Sequence, residues 1–264
     1  MWIENIILGI AQGIGEWLPI SSEGLIALIK INFFSGENLF SIIKLALFLH
    51  LGTFCAAFVY FRKDVLSLLK ALFFYKTAEE KNKKLLTFLI ISTTISGLLG
   101  FGLITLLSQI ENQIRLSGKI ITAGVGILLL LTALLQIRTK KTGSRNISDL
   151  KKTDAIILGF IQGFAVLPGL SRSGTTVAAL LLKKFDKTVA LKLSFLMSLP
   201  IVLIGNIFLG IKYFEFSFEA LAGFLFSFIF GLLTIHLLFK IAEKVNFGYF
   251  ILFFGILTII SVFI

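Results

Sequence analysis

The chain has 264 residues, of which 57% are hydrophobic, and its mean hydropathy is +0.99. A soluble domain is closer to half apolar and richer in charge, so this composition excludes an ordinary soluble protein. The net charge of +11 is typical of membrane-protein loops that face anionic lipid, and we expect no nucleic-acid partner. The single cysteine excludes a disulfide framework.

The first region, residues 3–33, contains two apolar pieces that are each too short to span a bilayer. They are separated at Leu18-Pro19-Ile20-Ser21-Ser22. Irregular backbone at membrane depth must be buried in protein or line a cavity, so this pattern predicts a re-entrant hairpin. The pattern returns in residues 155–183, where the break is Leu167-Pro168-Gly169-Leu170-Ser171.

Apolar runs of roughly 20 residues, the length of a membrane span, occupy most of the remaining chain. They lie at residues 40–61, 85–108, 116–137, 188–211, 218–240 and 247–264. Residues 62–84 form a basic segment with a short amphipathic piece, and residues 138–154 form a basic loop. We therefore predict an all-α polytopic membrane protein with a single transmembrane domain over residues 1–264.

The chain contains an internal repeat. Residues 8–24, LGIAQGIGEWLPISSEG, align without a gap on residues 158–174, LGFIQGFAVLPGLSRSG. The two copies share a Leu-Gly pair, a Gln-Gly pair, a serine and a glycine. This pattern predicts two repeats, 1–137 and 155–264, joined by the basic loop 138–154.

The distribution of positive charge predicts the orientation of the repeats. If residues 62–84 and 138–154 lie in the cytoplasm, segments 183–192 and 240–244 also fall inside, and these four segments hold 19 of the 25 Lys and Arg residues. The first hairpin then enters from outside and the second from the cytoplasm. We expect two inverted-topology repeats, each a re-entrant helix hairpin plus three transmembrane helices, with the two breaks meeting near the midplane. The predicted location is the plasma membrane, with both termini outside.

The two hairpins differ in their charged residues. The first contains Glu16 and Glu23, and the second contains Arg172. An arginine near membrane depth indicates a functional site, and its fork of donors suits phosphate. Helices that begin near Ser22 and Ser171 would point free N–H groups at an anion. Together these residues predict a phosphate-processing site.

The remaining candidates have polar or small side chains. Serine hydroxyls can donate to phosphate or attack it, and glycines let the backbone approach it. Glutamine and glutamate oxygens suit Mg²⁺ or Ca²⁺. The substrate-binding candidates are Ser21, Ser171, Ser173, Gly169 and Gly174, with Gly24 as a further small residue, and the metal candidates are Gln12, Glu16 and Glu23.

Three stretches resemble a known family, the undecaprenyl-pyrophosphate phosphatases of bacitracin resistance. Gln12-x-x-x-Glu16 and the following PISSEG resemble its [E/Q]xxxE and PxSS(T)G motifs. Residues 168–174, PGLSRSG, match its PGxSRSG motif, and residues 193–200 resemble its SFLLaiP stretch. The resemblance covers nearly the whole chain. It implies a membrane phosphatase that converts undecaprenyl pyrophosphate to undecaprenyl phosphate and Pi, which recycles the lipid carrier for cell-wall synthesis.

The resemblance also implies roles for individual residues. Glu16 would be the essential acid with a divalent metal and Gln12 as its partner, Ser22 the nucleophile, and Arg172 the ligand of the pyrophosphate. The chain departs from the family at Leu25, where the family usually has histidine. The base would then be Glu16, Glu23 or a metal-bound water. His50, in an apolar segment, either packs between helices or replaces the missing histidine.

Other interpretations stay open. Ser21, Ser171 and Ser173 are also suited to capping helices, and Glu16 and Arg172 to a structural buried pair. An inverted repeat also suits a transporter or flippase of a polyprenyl phosphate or another anionic lipid. A phosphatase of the phosphatidic-acid type would need two histidines in motifs that this chain lacks. A homodimer is an open alternative to a monomer.

Overall fold

The computed structural model describes residues 2–18, 20–34, 39–114, 118–138, 143–167, 170–210, 217–241 and 247–261, and these residues are largely helical. The α-helices are α1 Trp2–Gly15, α2 Ser22–Phe33, α3 Leu39–Tyr60, α4 Arg62–Phe73, α5 Glu80–Ile114, α6 Gly118–Arg138, α7 Lys152–Phe164, α8 Arg172–Leu182, α9 Lys187–Gly205, α10 Phe218–Ile241 and α11 Phe247–Ser261. Short 3₁₀ turns lie at Tyr75–Thr77 and Ile147–Asp149, and a π-helical turn, Asn206–Gly210, follows α9. Within the described part of the chain, the β contact recorded is an isolated bridge between Arg145 and Phe185.

The element order agrees with the all-α prediction, and both predicted hairpins are pairs of short helices separated by a break. The main difference concerns α5, which has 35 residues and begins at Glu80, inside the segment that we expected to be polar loop. Lysine and glutamate are good helix formers, and Glu80 lies at the positive end of the helix dipole. The helix therefore extends beyond its apolar section.

Several helices are apolar enough to cross a membrane. Among the described residues, three segments satisfy both length and hydropathy: Glu80–Leu106, Lys187–Phe208 and Phe218–Lys240. A fourth span results if Leu45–Tyr60 is counted with Arg62–Phe73, although these two helices are bent by 87°. The predicted spans 116–137 and 247–264 coincide with α6 and α11, of 21 and 15 residues. The protein is a multi-pass membrane protein.

The first helix of each hairpin packs against a long helix from the other half of the chain: α1 against α10, and α7 against α5. Glycines allow this close approach. A Cβ on Gly9 would lie 2.2 Å from the Gly223 oxygen, and one on Gly13 would lie 2.8 Å from the Ser227 oxygen. In α7, a Cβ on Gly159 would lie 3.0 Å from the Ser92 oxygen. These glycines therefore serve helix packing, because small residues let membrane helices touch through their backbones.

An ion pair joins the two helices of each hairpin. In the first, Lys30 of α2 lies 2.5 Å from Glu4 of α1. In the second, Lys183, which caps α8, lies 3.0 Å from Asp154 of α7. Glu4 and Asp154 occupy the same position in the repeat alignment. In each hairpin, an ion pair between an acid and a lysine therefore joins the two helices at the ends away from the break.

Asp154 is 1% exposed and accepts a hydrogen bond from Arg145 Nη2 at 2.6 Å as well as from the backbone N–H of Lys151 at 3.0 Å. Burial alone would raise the pKa of this carboxyl. The bonds from Arg145, Lys183 and Lys151 outweigh burial and hold the pKa of Asp154 below its usual 3.8. Asp154 therefore links the loop before α7, through Arg145, to the end of α8, through Lys183.

Aromatic side chains pack beneath the first break. Trp17 is 1% exposed, and its ring lies 4.7 Å from that of Phe195 on α9. Phe195 in turn lies 5.9 Å from Phe239 on α10 and 6.4 Å from Phe61. Rigid aromatic packing of this kind fixes the backbone that carries Glu16, the residue before Trp17.

Candidate active site

The two breaks end in the same way, with a serine that caps the next helix. The Ser21 hydroxyl accepts a hydrogen bond from the Gly24 N–H at 3.1 Å, and Ser171 accepts one from the Gly174 N–H at 3.1 Å. These are standard N-cap bonds. The Ser-x-x-Gly spacing in each copy thus starts α2 and α8 close to the predicted positions. Whether Ser21 and Ser171 also bind substrate stays a prediction.

The two breaks lie against each other, and Arg172 makes the central contact between them. Its Nη2 donates to Glu16 Oε1, and its Nη1 donates to the Ser194 carbonyl at 3.0 Å. A second bond joins the breaks, from the Ser173 hydroxyl to the Leu18 carbonyl at 2.8 Å. The carbonyl of α9 and the carboxylate of the first hairpin therefore orient the guanidinium from two directions.

Glu16 is the point on which the site converges. Its Oε2 accepts hydrogen bonds from Gln12 Nε2 and the Ser22 hydroxyl, each at 2.9 Å. His50 Nε2 lies 2.9 Å from the same oxygen. With Arg172 on Oε1, four donors surround one buried carboxylate. Such a set of donors stabilises the ionised form of the acid.

His50 reaches this cluster from α3. Its Nδ1 lies 2.6 Å from the Ala46 carbonyl, which can only accept, so Nδ1 is a donor. Its Nε2 lies 2.9 Å from Glu16 Oε2 and 3.3 Å from Glu23 Oε1. A ring that donates from both nitrogens is an imidazolium. In that doubly protonated form His50 would be a second buried cation in the site, beside Arg172.

Glu23 lies at the edge of the cluster, in the first turn of α2. Its carboxylate lies 3.3 Å from the Ser21 hydroxyl and 3.4 Å from the Ser22 hydroxyl, besides its contact with His50. The position also suits an acid at the positive end of a helix. Glu23 is therefore close enough to exchange a proton with Ser22 or His50, while it also stabilises α2.

With His50 doubly protonated, the two acids of the cluster, Glu16 and Glu23, would be matched in charge by Arg172 and His50. Within the described chain, no three His, Cys, Asp or Glu side chains form a recognisable metal-binding group. One feature nevertheless fits a cation. Gln12 Oε1 is buried and accepts no hydrogen bond from any described residue. An amide oxygen beside a carboxylate is a ligand pair that Mg²⁺ and Ca²⁺ accept.

The structure brings together most of the candidates from the sequence: Gln12, Glu16, Ser21, Ser22, Glu23, Ser171, Arg172, Ser173 and Gly174. Gly169 lies outside the described residues. Sequence reasoning assigned no role to Ser194 or Trp17. Ser194 supplies the carbonyl for Arg172 and bonds the Thr176 hydroxyl at 2.7 Å, and the Trp17 ring lies 5.9 Å from the Arg172 guanidinium. The motif around residues 193–200 was the signal that could have indicated Ser194.

Comparison with known proteins gives one consistent result. The family described as "Bacitracin resistance protein BacA" matches residues 5–260. A protein of Methanococcoides burtonii named undecaprenyl-diphosphatase is 42% identical over 99% of this chain and 98% of its own length. Proteins of the same name from Haloarcula marismortui and Methanothrix thermoacetophila are 36% and 33% identical, over 92% and 97% of this chain and 90% and 95% of their own.

Proposed function

Because the chain belongs to the bacitracin resistance protein BacA family, we propose that it is an undecaprenyl-diphosphatase. It removes the terminal phosphate of undecaprenyl diphosphate and releases undecaprenyl phosphate and Pi, which returns the lipid carrier to cell-wall synthesis. The observation that carries the proposal is the bond from the Ser22 hydroxyl to Glu16 beside Arg172. A transporter would need anion-binding groups but no hydroxyl bonded to a carboxylate, so this bond favours the enzyme.

Ser22 is the proposed nucleophile. Its Oγ attacks the terminal phosphorus while its proton passes to Glu16 Oε2, 2.9 Å away. The bond from phosphorus to the bridging oxygen breaks, and that oxygen leaves with undecaprenyl phosphate. Glu16 passes the serine proton to the departing undecaprenyl phosphate and is again a carboxylate. Water then attacks the phosphoserine and gives a proton to Glu16, the bond from phosphorus to Ser22 Oγ breaks, and Glu16 returns that proton to Oγ as Pi departs.

Arg172 and the beginnings of α2 and α8 are the proposed anion site. The guanidinium has five N–H donors, and two of its nitrogens are already fixed by Glu16 and Ser194. The remaining donors face the charge that develops on the phosphoryl oxygens. Backbone N–H groups in the first turns of α2 and α8 add to the binding of the diphosphate.

A divalent cation, Mg²⁺ or Ca²⁺, is part of the proposal. The charges of Glu16, Glu23, Arg172 and His50 cancel, so a diphosphate would enter a site without a surplus of positive charge. Gln12 Oε1, which lacks a donor among the described residues, and the carboxylates of Glu16 and Glu23 would hold the cation. The cation would supply positive charge against the phosphoryl oxygens.

His50 is the proposed substitute for the family histidine that is absent at Leu25. It contacts Glu16, the acid that also holds Ser22, and it contacts Glu23. A cation at this place orients the Glu16 carboxylate and keeps Oε2 directed at the serine.

Inverted topology is the proposed arrangement of the two halves in the membrane. Three observations support it. The helix α1 packs on α10 as α7 packs on α5, Ser21 and Ser171 make the same cap, and an acid at the same repeat position pairs with a lysine in each hairpin. The basic segments 62–84 and 138–154 would lie in the cytoplasm. The two re-entrant hairpins would then enter the plasma membrane from opposite sides, with both termini outside.

The deciding experiment is phosphate release from undecaprenyl diphosphate by the purified full chain, with and without EDTA. Wild-type protein should release Pi and should lose that activity in EDTA. Ser22→Ala should lower turnover by about 10³-fold or more, because it removes the nucleophile. Ser67→Ala, which removes a hydroxyl on α4 bonded to the Asp64 carbonyl, is the matched control and should retain activity. The absence of Pi from the wild-type protein would refute the function, and full activity of Ser22→Ala would refute the nucleophile.

A further inference from the structure

A cavity with several basic residues in its lining lies outside the candidate active site, at the start of α5. It has a volume of about 160 Å³ and is lined by Lys83 and Lys84 of α5, Lys151 and Lys152 at the start of α7, and Tyr75. Glu80 is the acid in its lining. The lining of the cavity therefore includes four lysines and a single acidic residue.

The lysines differ in the hydrogen-bond and ion-pair partners of their ammonium groups. Lys83 Nζ lies 3.0 Å from Glu80 Oε1, and Lys84 Nζ donates to the Ser148 carbonyl at 2.6 Å. Within the described part of the chain, neither Lys151 nor Lys152 has an ion-pair partner through its ammonium group. Like charges held close together repel, and an anion in the cavity would relieve that repulsion. The site thus lacks a negative charge that a phosphate group could supply.

The orientation of α4 indicates how deep in the membrane the cavity lies. This helix is bent by 87° from Leu45–Tyr60, so it runs along the surface if that segment crosses the bilayer. Its exposed side chains are apolar on one side, with Leu66, Leu69, Leu72 and Phe73 all more than 40% exposed. An amphipathic helix of this kind lies at the boundary between headgroups and acyl chains.

The cavity begins where α4 ends. Tyr75 follows the helix directly, and Lys83 and Lys84 lie in the first turns of the apolar span of α5, Glu80–Leu106. Lysines at the end of a span extend toward the headgroups, and basic pockets between such helices suit lipid phosphate. The cavity is therefore at the depth where the phosphate of a phospholipid lies.

We propose that this cavity is a binding site for the headgroup phosphate of an anionic phospholipid, separate from the diphosphate site at Arg172. The four lysines supply the charge, and the exposed apolar side chains of α4 and Phe74 contact the acyl chains. The proposal depends on the membrane position of α4 and α5 and not on the phosphatase reaction.

Native mass spectrometry of the full chain in detergent tests the proposal. Phosphatidylglycerol should remain bound in preference to phosphatidylcholine with the same acyl chains. The variant Lys83→Gln/Lys151→Gln/Lys152→Gln should weaken phosphatidylglycerol binding on the order of 100-fold, since each surface lysine contributes about fivefold. The matched control, Lys63→Gln/Lys70→Gln/Lys81→Gln, removes the same charge from exposed lysines near the cavity but not in its lining, and should retain the lipid.

Three outcomes would overturn the proposal: equal retention of the two lipids, equal loss in both triple variants, or loss of phosphatidylglycerol in Arg172→Ala instead. A competition experiment with inorganic phosphate distinguishes a lipid site from a site for soluble phosphate. If millimolar phosphate displaces the lipid fully, the cavity is a site for soluble phosphate and the lipid proposal fails. If the triple variant does not fold, Lys152→Gln alone replaces it, because this exposed side chain has no ion pair among the described residues.

Discussion

His50 Nε2 lies 2.9 Å from Glu16 Oε2, and these two residues come from different helices. The resemblance to the family places a histidine at the position of Leu25 on α2, three residues after the serine. In this protein the imidazole instead reaches the acid from α3. The site therefore retains a histidine beside its acid, although the motif that usually carries it has lost it.

The first prediction concerns this replacement. His50→Gln should lower phosphate release by about 10²-fold or more, because an amide can donate to Glu16 but carries no charge and moves no proton. Adding Leu25→His in that background should restore part of the turnover. His236→Gln removes an exposed histidine on α10 and should have no effect. Full activity of His50→Gln would contradict a catalytic role for His50 and indicate that it only packs between helices.

Arg172→Ala should abolish measurable turnover, with a loss of about 10³-fold or more, because the substrate phosphates lose their guanidinium. Arg172→Lys should recover little, since an ammonium cannot bond Glu16, Ser194 and phosphate together. Arg62→Ala, at the start of α4, is the control for loss of a positive charge. Circular dichroism of each variant checks the fold. Near wild-type turnover in Arg172→Ala would exclude the site proposed here.

Glu16→Gln should nearly abolish activity, because it removes the acceptor for Ser22, His50 and Arg172 together. Gln12→Glu should be tolerated and should lower the concentration of Mg²⁺ that gives half-maximal activity, since a carboxylate binds a hard cation better than an amide oxygen does. Metal titration of EDTA-treated protein measures both effects. If Glu16→Gln keeps its activity and its metal dependence, the proposed metal ligands are wrong.

Asp154→Asn should destabilise the protein at pH 7 by about 1.5–3 kcal/mol, because bonds from Arg145 and Lys183 to a charged carboxylate are lost. The pKa of Asp154 is depressed in the fold, so its stabilisation is present above its unfolded value of 3.8 and disappears as the pH falls further, through the folded value. The thermal midpoints of variant and wild type in detergent should therefore converge in strong acid. Glu79→Gln, at an exposed position, should show no such difference. A constant difference at every pH would contradict the ionic cause.

Much of this site could be predicted from the sequence, because its residues lie at fixed offsets in two copies of one motif. Ser21 and Ser171 each stand three residues before a glycine, so their helix starts and caps follow from local rules. The close helix contacts at Gly9 and Gly159 follow from their size. Arg172 was identified from its charge at an expected membrane depth.

The role of His50 could not be predicted in the same way. It belongs to no motif, and its contact with Glu16 depends on how α3 packs beside the first hairpin. The same holds for the Ser194 carbonyl, because a backbone acceptor leaves no trace in the side-chain pattern. The extension of α5 to Glu80 was missed because charge suggested a loop, although the same residues favour helix.

Labelling of single cysteines tests the orientation of the halves. In a Cys55→Ala background, cysteines at Lys76 and Asn146 should react with an impermeant reagent from the same side of the membrane, and one at Asn112 only from the other. Asn112 lies near the far end of α5, a helix of 35 residues that is about 50 Å long. Reaction of Asn112 and Asn146 from the same side would contradict the inverted repeat.

The crossed packing of the halves has a consequence for how the protein comes apart. Because α1 rests on α10 and α7 rests on α5, the glycine face of each hairpin is covered by the opposite half. Separated halves would each expose a backbone seam at Gly9 or Gly159 that has no partner of its own. We therefore expect no stable intermediate in which only one repeat is folded, and a single cooperative unfolding transition for both repeats.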